Sequence, residues 1–309
     1  QTCALPIFLL LDSLALLLEM PMVQRNNSSA RTPRLTLGTK RRIKNGLLLL
    51  TAVIFLTPTL FYLYWLVTNT FKPTPQIIAY PPVFIPKSLT LEHLNRFFAE
   101  TDLLRLTWNS VFISGSTTVL GLLFAIPAAH GMVKLNLTKS WGTAILVSRL
   151  LPGMLALIGW YKLFTHLHLI DTYTAIVLTH LIYAVPLMTW IMIGYFEDTS
   201  PDLESAALID GCSRLQAFMI VCVPIVRPGI LVAAILVFVT SWNDFVRPLI
   251  FTGPDKRPLV MAVFQAIALQ HIDWGLMMTA AFFVLVPVIV VTIILQKHIV
   301  AGLSAGAVK

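Results

Sequence analysis

Six runs of about twenty apolar residues, at 47–67, 109–132, 143–162, 174–194, 224–245 and 276–296, constrain this chain more than any other feature. A helix rising 1.5 Å per residue needs about 20 residues to cross roughly 30 Å of hydrocarbon. Six such blocks in 309 residues cannot all be turned inward in a water-soluble fold. Only 12% of the residues are charged, about half the share of a soluble domain, and the mean hydropathy is +0.82. Prolines 58, 127, 152, 186 and 287 fall inside the runs. They would break soluble helices, but membrane bundles tolerate them because neighbouring groups satisfy the freed carbonyls. The expected fold is an all-α integral membrane protein with six transmembrane helices.

The basic residues orient it. With the N-terminus inside, the cytoplasmic side holds thirteen: Arg25, Arg31, Arg34, Lys40, Arg41, Arg42, Lys44, Lys134, Lys139, Arg214, Arg227, Lys297 and Lys309. The outer side holds seven: Lys72, Lys87, Arg96, Arg105, Arg247, Lys256 and Arg257. The cluster KRRIK before the first run is the strongest vote, so both termini are expected in the cytoplasm. The outer segment after the first run reads as an extended, proline-rich stretch followed by a short interfacial helix with Leu94, Phe97 and Phe98 on one side. FTGPDKRPL carries turn chemistry at Gly253-Pro254-Asp255.

The net charge of +8 sits largely in the N-terminal cluster, and no aromatic-interleaved basic patch accompanies it, which argues against a nucleic-acid partner. Cys3, Cys212 and Cys222 show no metal-ligand spacing and read as small apolar residues. His166 and His168 lack a third ligand nearby, so no metal is expected. Asp171 reads as the cap of the fourth span. No Ser-His-Asp or paired-carboxylate arrangement can be argued for an intramembrane hydrolase. QTCALPI, residues 1–7, resembles a translated sequencing-library adapter. Residues 1–19 are therefore expected to be an assembly artefact with in-frame upstream sequence, and the native start to be Met20 or Met22. Residues 20–46 form a basic cytoplasmic arm in this reading, and 47–309 the membrane domain. The rival, a signal peptide, lacks a basic n-region and carries Asp12 and Glu19.

One polar stretch interrupts the apolar pattern. Residues 197–224 lie between the fourth and fifth spans and contain LESAALIDGCSR. Ser200 suits an N-cap, Pro201 the first helical position, and Asp202 and Glu204 the positive end of the helix dipole. Gly211 can take positive φ and end the helix. A second helix should follow, with Leu215, Phe218, Met219 and Cys222 on an apolar face. Two readings stay open on the residues alone. It is a solvated connector, or a small-residue helix that plugs a groove on a soluble partner.

The stretch resembles the EAA loop of permease subunits from binding-protein-dependent ABC importers. That pattern is Glu-Ala-Ala, three residues, Gly, nine residues, then Ile-x-Leu-Pro, and Ser205, Ala206, Ala207, Gly211, Val221, Val223 and Pro224 occupy its positions in order, with mild aliphatic changes at 221 and 223. Ser205 stands where the family usually has Glu, which leaves Glu204, with Asp210, as the acids of the motif. The resemblance runs over about residues 38–309. TNTFKPTPQI, SWNDFVRPLIF and the C-terminal DWGLMMTAAFFVLVPVIVVTIILQKHIVAGLSAGAVK resemble the sugar-transporting branch, which includes the smaller membrane subunit of the maltose importer.

This resemblance implies the type I importer permease (MetI-like) fold in a bacterial inner membrane. It implies a second permease subunit, two cytoplasmic ATPases that hold ATP and Mg and grip the loop, and an extracytoplasmic sugar-binding protein. The chain has no G-x-x-x-x-G-K-[ST] of its own and is not expected to be an enzyme or to bind a cofactor. Beyond the loop, candidates for the substrate path or a binding-protein contact are Arg149, inside the third span, and Trp242, Asn243 and Asp244 where the fifth span ends. Trp242 has the simpler reading of an interfacial anchor. A non-sugar importer and a secondary transporter are the alternatives. The latter should carry acids within its spans, and these spans hold almost none.

Overall fold

The computed structural model describes residues 37–150, 153–267 and 272–307. The N-terminal expectations for residues 1–36 lie outside them. Among the described residues the regular structure is helical, with one isolated bridge between Ile267 and Ile272. Four helices are long and apolar enough to cross a membrane: Asn45–Phe71, Leu103–Lys134, Tyr173–Glu197 and Trp274–Ile294. A fifth crossing forms if Arg214–Ile225 and Arg227–Trp242, bent by 73°, are taken together. The expected third span falls on two helices, Thr143–Leu150 and Gly153–His166, on either side of residues outside the description.

The chain divides after Val67. The first unit carries most of α1 (Leu37–Phe71), a continuous helix through Pro58 in which Phe61 stacks on Trp65 at 6.0 Å. The second unit begins with α2 (Thr74–Ile77) and α3 (Glu92–Glu100), then α4 (Leu103–Lys134), α5 (Thr143–Leu150), α6 (Gly153–His166) and α7 (Tyr173–Glu197). α8 (Pro201–Ile209) and α9 (Arg214–Ile225) form the loop, and α10 (Arg227–Trp242), α11 (Val246–Phe251), α12 (Met261–Gln265) and α13 (Trp274–Ala307) complete the unit.

α4 and α7 make the most extensive helix pairing, and α10 packs against both. Their seam is lined by Ala125, Ala129 and Ala184 around Met188 and Met192, small residues that let helix backbones approach where no hydrophobic force draws them together. Two buried threonines of these helices return their hydroxyls to their own helix, Thr118 Oγ1 to Ser114 O (2.7 Å) and Thr179 Oγ1 to Ile176 O (2.7 Å). A second core joins α3, α10, α12 and α13 around Phe97, Trp242 and Leu259. A third joins α4, α6, α7 and α11 around Ile113, Phe164 and Phe251.

Several expectations are corrected here. In α3 it is His93 and Phe97, one turn apart, that are buried, while Phe98 is exposed. His93 reaches back to Lys72 O at 3.0 Å, and this tertiary pull sets the buried face. Lys72, counted among the outer basic residues, is withdrawn from solvent. It is fully buried and donates to Val83 O at 2.6 Å, and burial lowers its pKa. Asp171 does not cap α7. Its φ of 61° is incompatible with the extended cap conformation, and Thr172 beside it accepts from Ala175 N instead. Asp171 Oδ1 accepts from Gly253 N (2.6 Å) and its own amide donates to Phe251 O (3.0 Å), so it clips the 252–258 loop to the start of α7.

Candidate functional site

The loop forms as its local chemistry dictates. Ser200 is extended, its Oγ accepts from Asp202 N (3.3 Å), and Pro201 opens α8. At the other end Cys212 N donates to Ala207 O (3.0 Å) and Gly211 N to Leu208 O (3.2 Å), with Gly211 at φ +94°. This paired 6→1 and 5→2 closure is a Schellman motif, which needs a left-handed residue at Gly211's position. Ser213 then starts α9 with a reciprocal capping box. Its Oγ accepts from Gln216 N (3.3 Å) while Gln216 Oε1 accepts from Ser213 N (2.8 Å).

α9 departs from the expected single apolar face. A π-type turn at Phe218–Cys222 shifts the register, so Ala217 and Cys222 are buried while Leu215 and Met219 are exposed. Val221, Val223 and Pro224 are half-buried. The fifth run does not begin as one helix at Pro224, because the chain bends by 73° between Ile225 and Arg227 and the helix ends at Trp242.

On α8 the motif residues divide by face. Leu203, Ser205, Ala206 and Ile209, with Asp210 and Gly211 beyond them, are exposed, and Ile209 retains 85% of its surface. Ser205 Oγ turns back to Pro201 O (3.2 Å). Ala207 is buried, and Glu204 points into the bundle with 14% of its side chain exposed. Glu204 Oε2 accepts from His130 Nε2 (3.1 Å), and Oε1 pairs with the Lys134 ammonium. His130 and Lys134 lie four residues apart in the last turns of α4, so they present one face. Burial alone would raise the Glu204 carboxyl, but the hydrogen bonds and charges of Lys134 and His130 outweigh it and hold the pKa below the usual glutamate value. The His130 ring packs on Phe196 of α7 (5.4 Å between centroids) and on Phe218 of α9 (4.8 Å). Donor atoms of His130, Glu204 and Cys222 lie within 4.8 Å of one another. Because Lys134 already neutralises this carboxylate, the trio is a poor donor set for a dication and reads as an ion-pair clamp.

The second candidate set lies on other elements. Trp242 is no interfacial anchor. It is 2% exposed, stacks on Phe238 at 5.9 Å and donates from Nε1 to Val284 O (3.1 Å), so its indole joins α10 to α13. Asn243 is exposed and its Nδ2 donates to Val239 O (2.9 Å). Asp244 Oδ2 accepts from His180 Nε2 (2.8 Å) and from Arg247 (2.6 Å), and the Arg247 guanidinium lies 4.2 Å over the Tyr183 ring. Ser241 Oγ contacts His180 Nδ1 at 2.7 Å. The structure thus brings Ser241, His180 and Asp244 together, which the sequence did not suggest. With Asp244 also held by Arg247, the cluster ties α7 to the end of α10. Arg149 lies in α5, but its side chain is outside the described residues.

The opposite end of α4 holds another network. Asn109 Nδ2 donates to Asp255 O (3.0 Å) and Arg257 O (2.8 Å), and its Oδ1 accepts from Tyr173 OH (2.5 Å). Ser110 Oγ accepts from Leu259 N (2.7 Å). Sequence reasoning missed His130, His180 and Asn109. Only for His130 was there a signal: a histidine one turn before a lysine at a helix end, where an acid from the facing loop would be met.

The family model for the binding-protein-dependent transport system inner membrane component matches residues 28–305. A probable ABC transporter permease protein of Sinorhizobium fredii is 34% identical over 253 residues, covering 81% of this chain and 90% of that one. The sulfoquinovosyl glycerol transport system permease protein of Agrobacterium fabrum is 29% identical, covering 84% and 92%. The trehalose/maltose transport system permease protein of Thermococcus litoralis is 28% identical, covering 86% and 98%. Among solved structures, a bacterial ABC transporter involved in importing the acidic polysaccharide alginate aligns with a TM-score of 0.68 at 20% identity, over 86% of this chain and 99% of that one. That likeness shows the shared fold. With the family model spanning most of the chain, the protein belongs to the binding-protein-dependent transport system inner membrane components, transport subunits and not enzymes.

Proposed function

We propose that the chain is the permease subunit of an ATP-driven importer and forms half of the translocation path for a sugar, coupled to cytoplasmic ATPases through residues 197–224. The observation that carries this reading is the projecting helix α8, whose Leu203, Ser205, Ala206 and Ile209 are exposed beside a left-handed Gly211. Ile209, 85% exposed on a helix of nine residues, suits a groove on a soluble partner. Relatives named for trehalose, maltose and sulfoquinovosyl glycerol support a sugar. In this reading residues 47–309 are the membrane domain, with both ends in the cytoplasm. A second permease completes the path, two ATPases supply ATP and Mg, and an extracytoplasmic binding protein delivers substrate. ATPase closure moves α8 and, with it, the attached spans as rigid bodies.

The test begins with the binding protein that the source organism pairs with this importer, identified by co-purification. Its retained ligand is identified by mass spectrometry and resupplied in labelled form to vesicles carrying the assembled importer. Uptake that requires ATP and the ATPase subunit, and that vanadate stops, is the expected result. A non-sugar ligand overturns the substrate. Uptake that persists without the ATPase and collapses with a protonophore overturns the importer reading itself.

A further inference from the structure

We propose that His130, Glu204 and Lys134 form a latch through which the loop helix α8 moves α4, so that Glu204 transmits force within this chain and does not bind the ATPase. The proposal rests on the coupling role of the loop and assigns it a transmission residue. Apart from Glu204 and the half-buried Leu208, α8 turns little toward the bundle. Ala207 is its one buried residue, and a single methyl contact has no direction and slips under load. The Glu204 carboxylate has both oxygens engaged by α4, one by His130 at 3.1 Å and one by Lys134. Charge-assisted bonds of this kind are directional and stronger than neutral ones.

The receiving end is built to stay fixed. The His130 ring is held between Phe196 and Phe218, so the clamp also touches the end of α7 and the π turn of α9. α4 is continuous over 32 residues, about 48 Å at 1.5 Å per residue. At its far end Asn109 and Ser110 hold the loop that carries Asp255, Arg257 and Leu259. One helix therefore joins a contact at the loop to a contact at the opposite end of the bundle. Such an element is what long-range coupling requires.

A charge-swap cycle tests the latch in the assembled importer with its own binding protein and MgATP. Lys134→Glu and Glu204→Lys are each expected to cut the stimulation of ATP hydrolysis by binding protein about tenfold, while the ATPase co-purifies at the wild-type yield. The double variant Lys134→Glu/Glu204→Lys should recover most of the stimulation. Glu204→Gln, which keeps the side chain's size, should show the same loss if a reversed charge prevents assembly. Wild-type stimulation in Glu204→Gln overturns the proposal, and so does a double variant as impaired as the two singles combined. Loss of ATPase co-purification in Glu204→Gln also overturns it, because Glu204 would then be a docking contact. Ile209→Asp, on the exposed face, separates the two readings. If the ATPase still binds that variant fully, the coupling-loop reading fails whatever the latch variants do.

Discussion

Gly211 is the position where backbone geometry most directly predicts a functional defect. A Cβ added there meets nothing within 4 Å, so any penalty comes from the backbone and none from crowding. Its φ is +94°, and its amide and that of Cys212 close the end of α8 onto Leu208 and Ala207. An L-residue forced to positive φ costs roughly 1–2 kcal/mol. Proline cannot reach this conformation, since its ring fixes φ near −65°, and it has no amide to donate. Gly211→Pro therefore loses both closing bonds, each worth about 1 kcal/mol. A loss of about 2 kcal/mol in the population of the docked geometry corresponds to roughly a thirtyfold fall in transport. Gly211→Asn should be much milder, because asparagine visits left-handed conformations most readily after glycine. Both variants are measured by ATP-dependent uptake in vesicles, with membrane content fixed by immunoblot. Normal insertion is expected for both, since the loop lies between spans. Wild-type uptake in Gly211→Pro refutes the reasoning, and so does a Gly211→Asn defect equal to that of proline.

Three further outcomes concern stability, read by thermal unfolding of the detergent-solubilised protein. A Cβ at Gly253 would lie 2.5 Å from Asp171 Oδ2, so Gly253→Ala should open the clip between the 252–258 loop and α7. The expected cost is about 1–3 kcal/mol, with faster tryptic cleavage after Lys256. Asn109→Ala strips a buried side chain from two backbone carbonyls and the Tyr173 hydroxyl. It should cost about 1–3 kcal/mol, and a neutral result would show that the loop is held by other contacts. At Asp273, burial raises the carboxyl, but the Leu276 amide and Arg96 outweigh it and bring the pKa below the ordinary 3.8. Its contribution is thus present above that value and lost as pH falls through the lower folded one. As pH falls below about 4 the wild type should lose stability more steeply than Asp273→Asn.

What was legible in the sequence was local. Ser200, Pro201 and Gly211 specify the bounds of α8 through caps and a left-handed turn within a dozen residues, and the structure has them. The long apolar runs were legible for the same reason, since a helix satisfies its own backbone bonds and needs no partner to be recognised. What failed were the residues whose partners lie far along the chain. Glu204 and Lys134 are 70 positions apart, and His180 and Asp244 are 64 apart. Neither pairing follows from a period or a cap. Asp171 shows the competition directly. Asp171 and Thr172 are both good capping types, and the choice fell to Thr172 because Gly253, 82 residues away, held the aspartate. Trp242 looked like a belt residue because helix ends favour indoles, whereas a carbonyl of α13 offered its N–H a partner in the core.

The division of α8 into faces bears on how a loop with serine at position 205 can serve a motif that usually has glutamate there. The acid that remains, Glu204, is turned inward and already paired, so it has no free oxygen to offer a soluble partner. The outward face offers Leu203, Ser205, Ala206 and Ile209, which are small or apolar, and Ser205 spends its hydroxyl on Pro201 O. A partner that grips this helix does so by shape and apolar contact, with Asp210 as the motif's one exposed acid. This arrangement separates two jobs that one glutamate could not perform at once. A side chain buried against His130 and Lys134 transmits force because it is withdrawn from solvent, and a docking face must stay exposed to be reached. Placing the acid one residue earlier rotates it by about 100° around the helix, which is enough to move it from the docking face to the bundle.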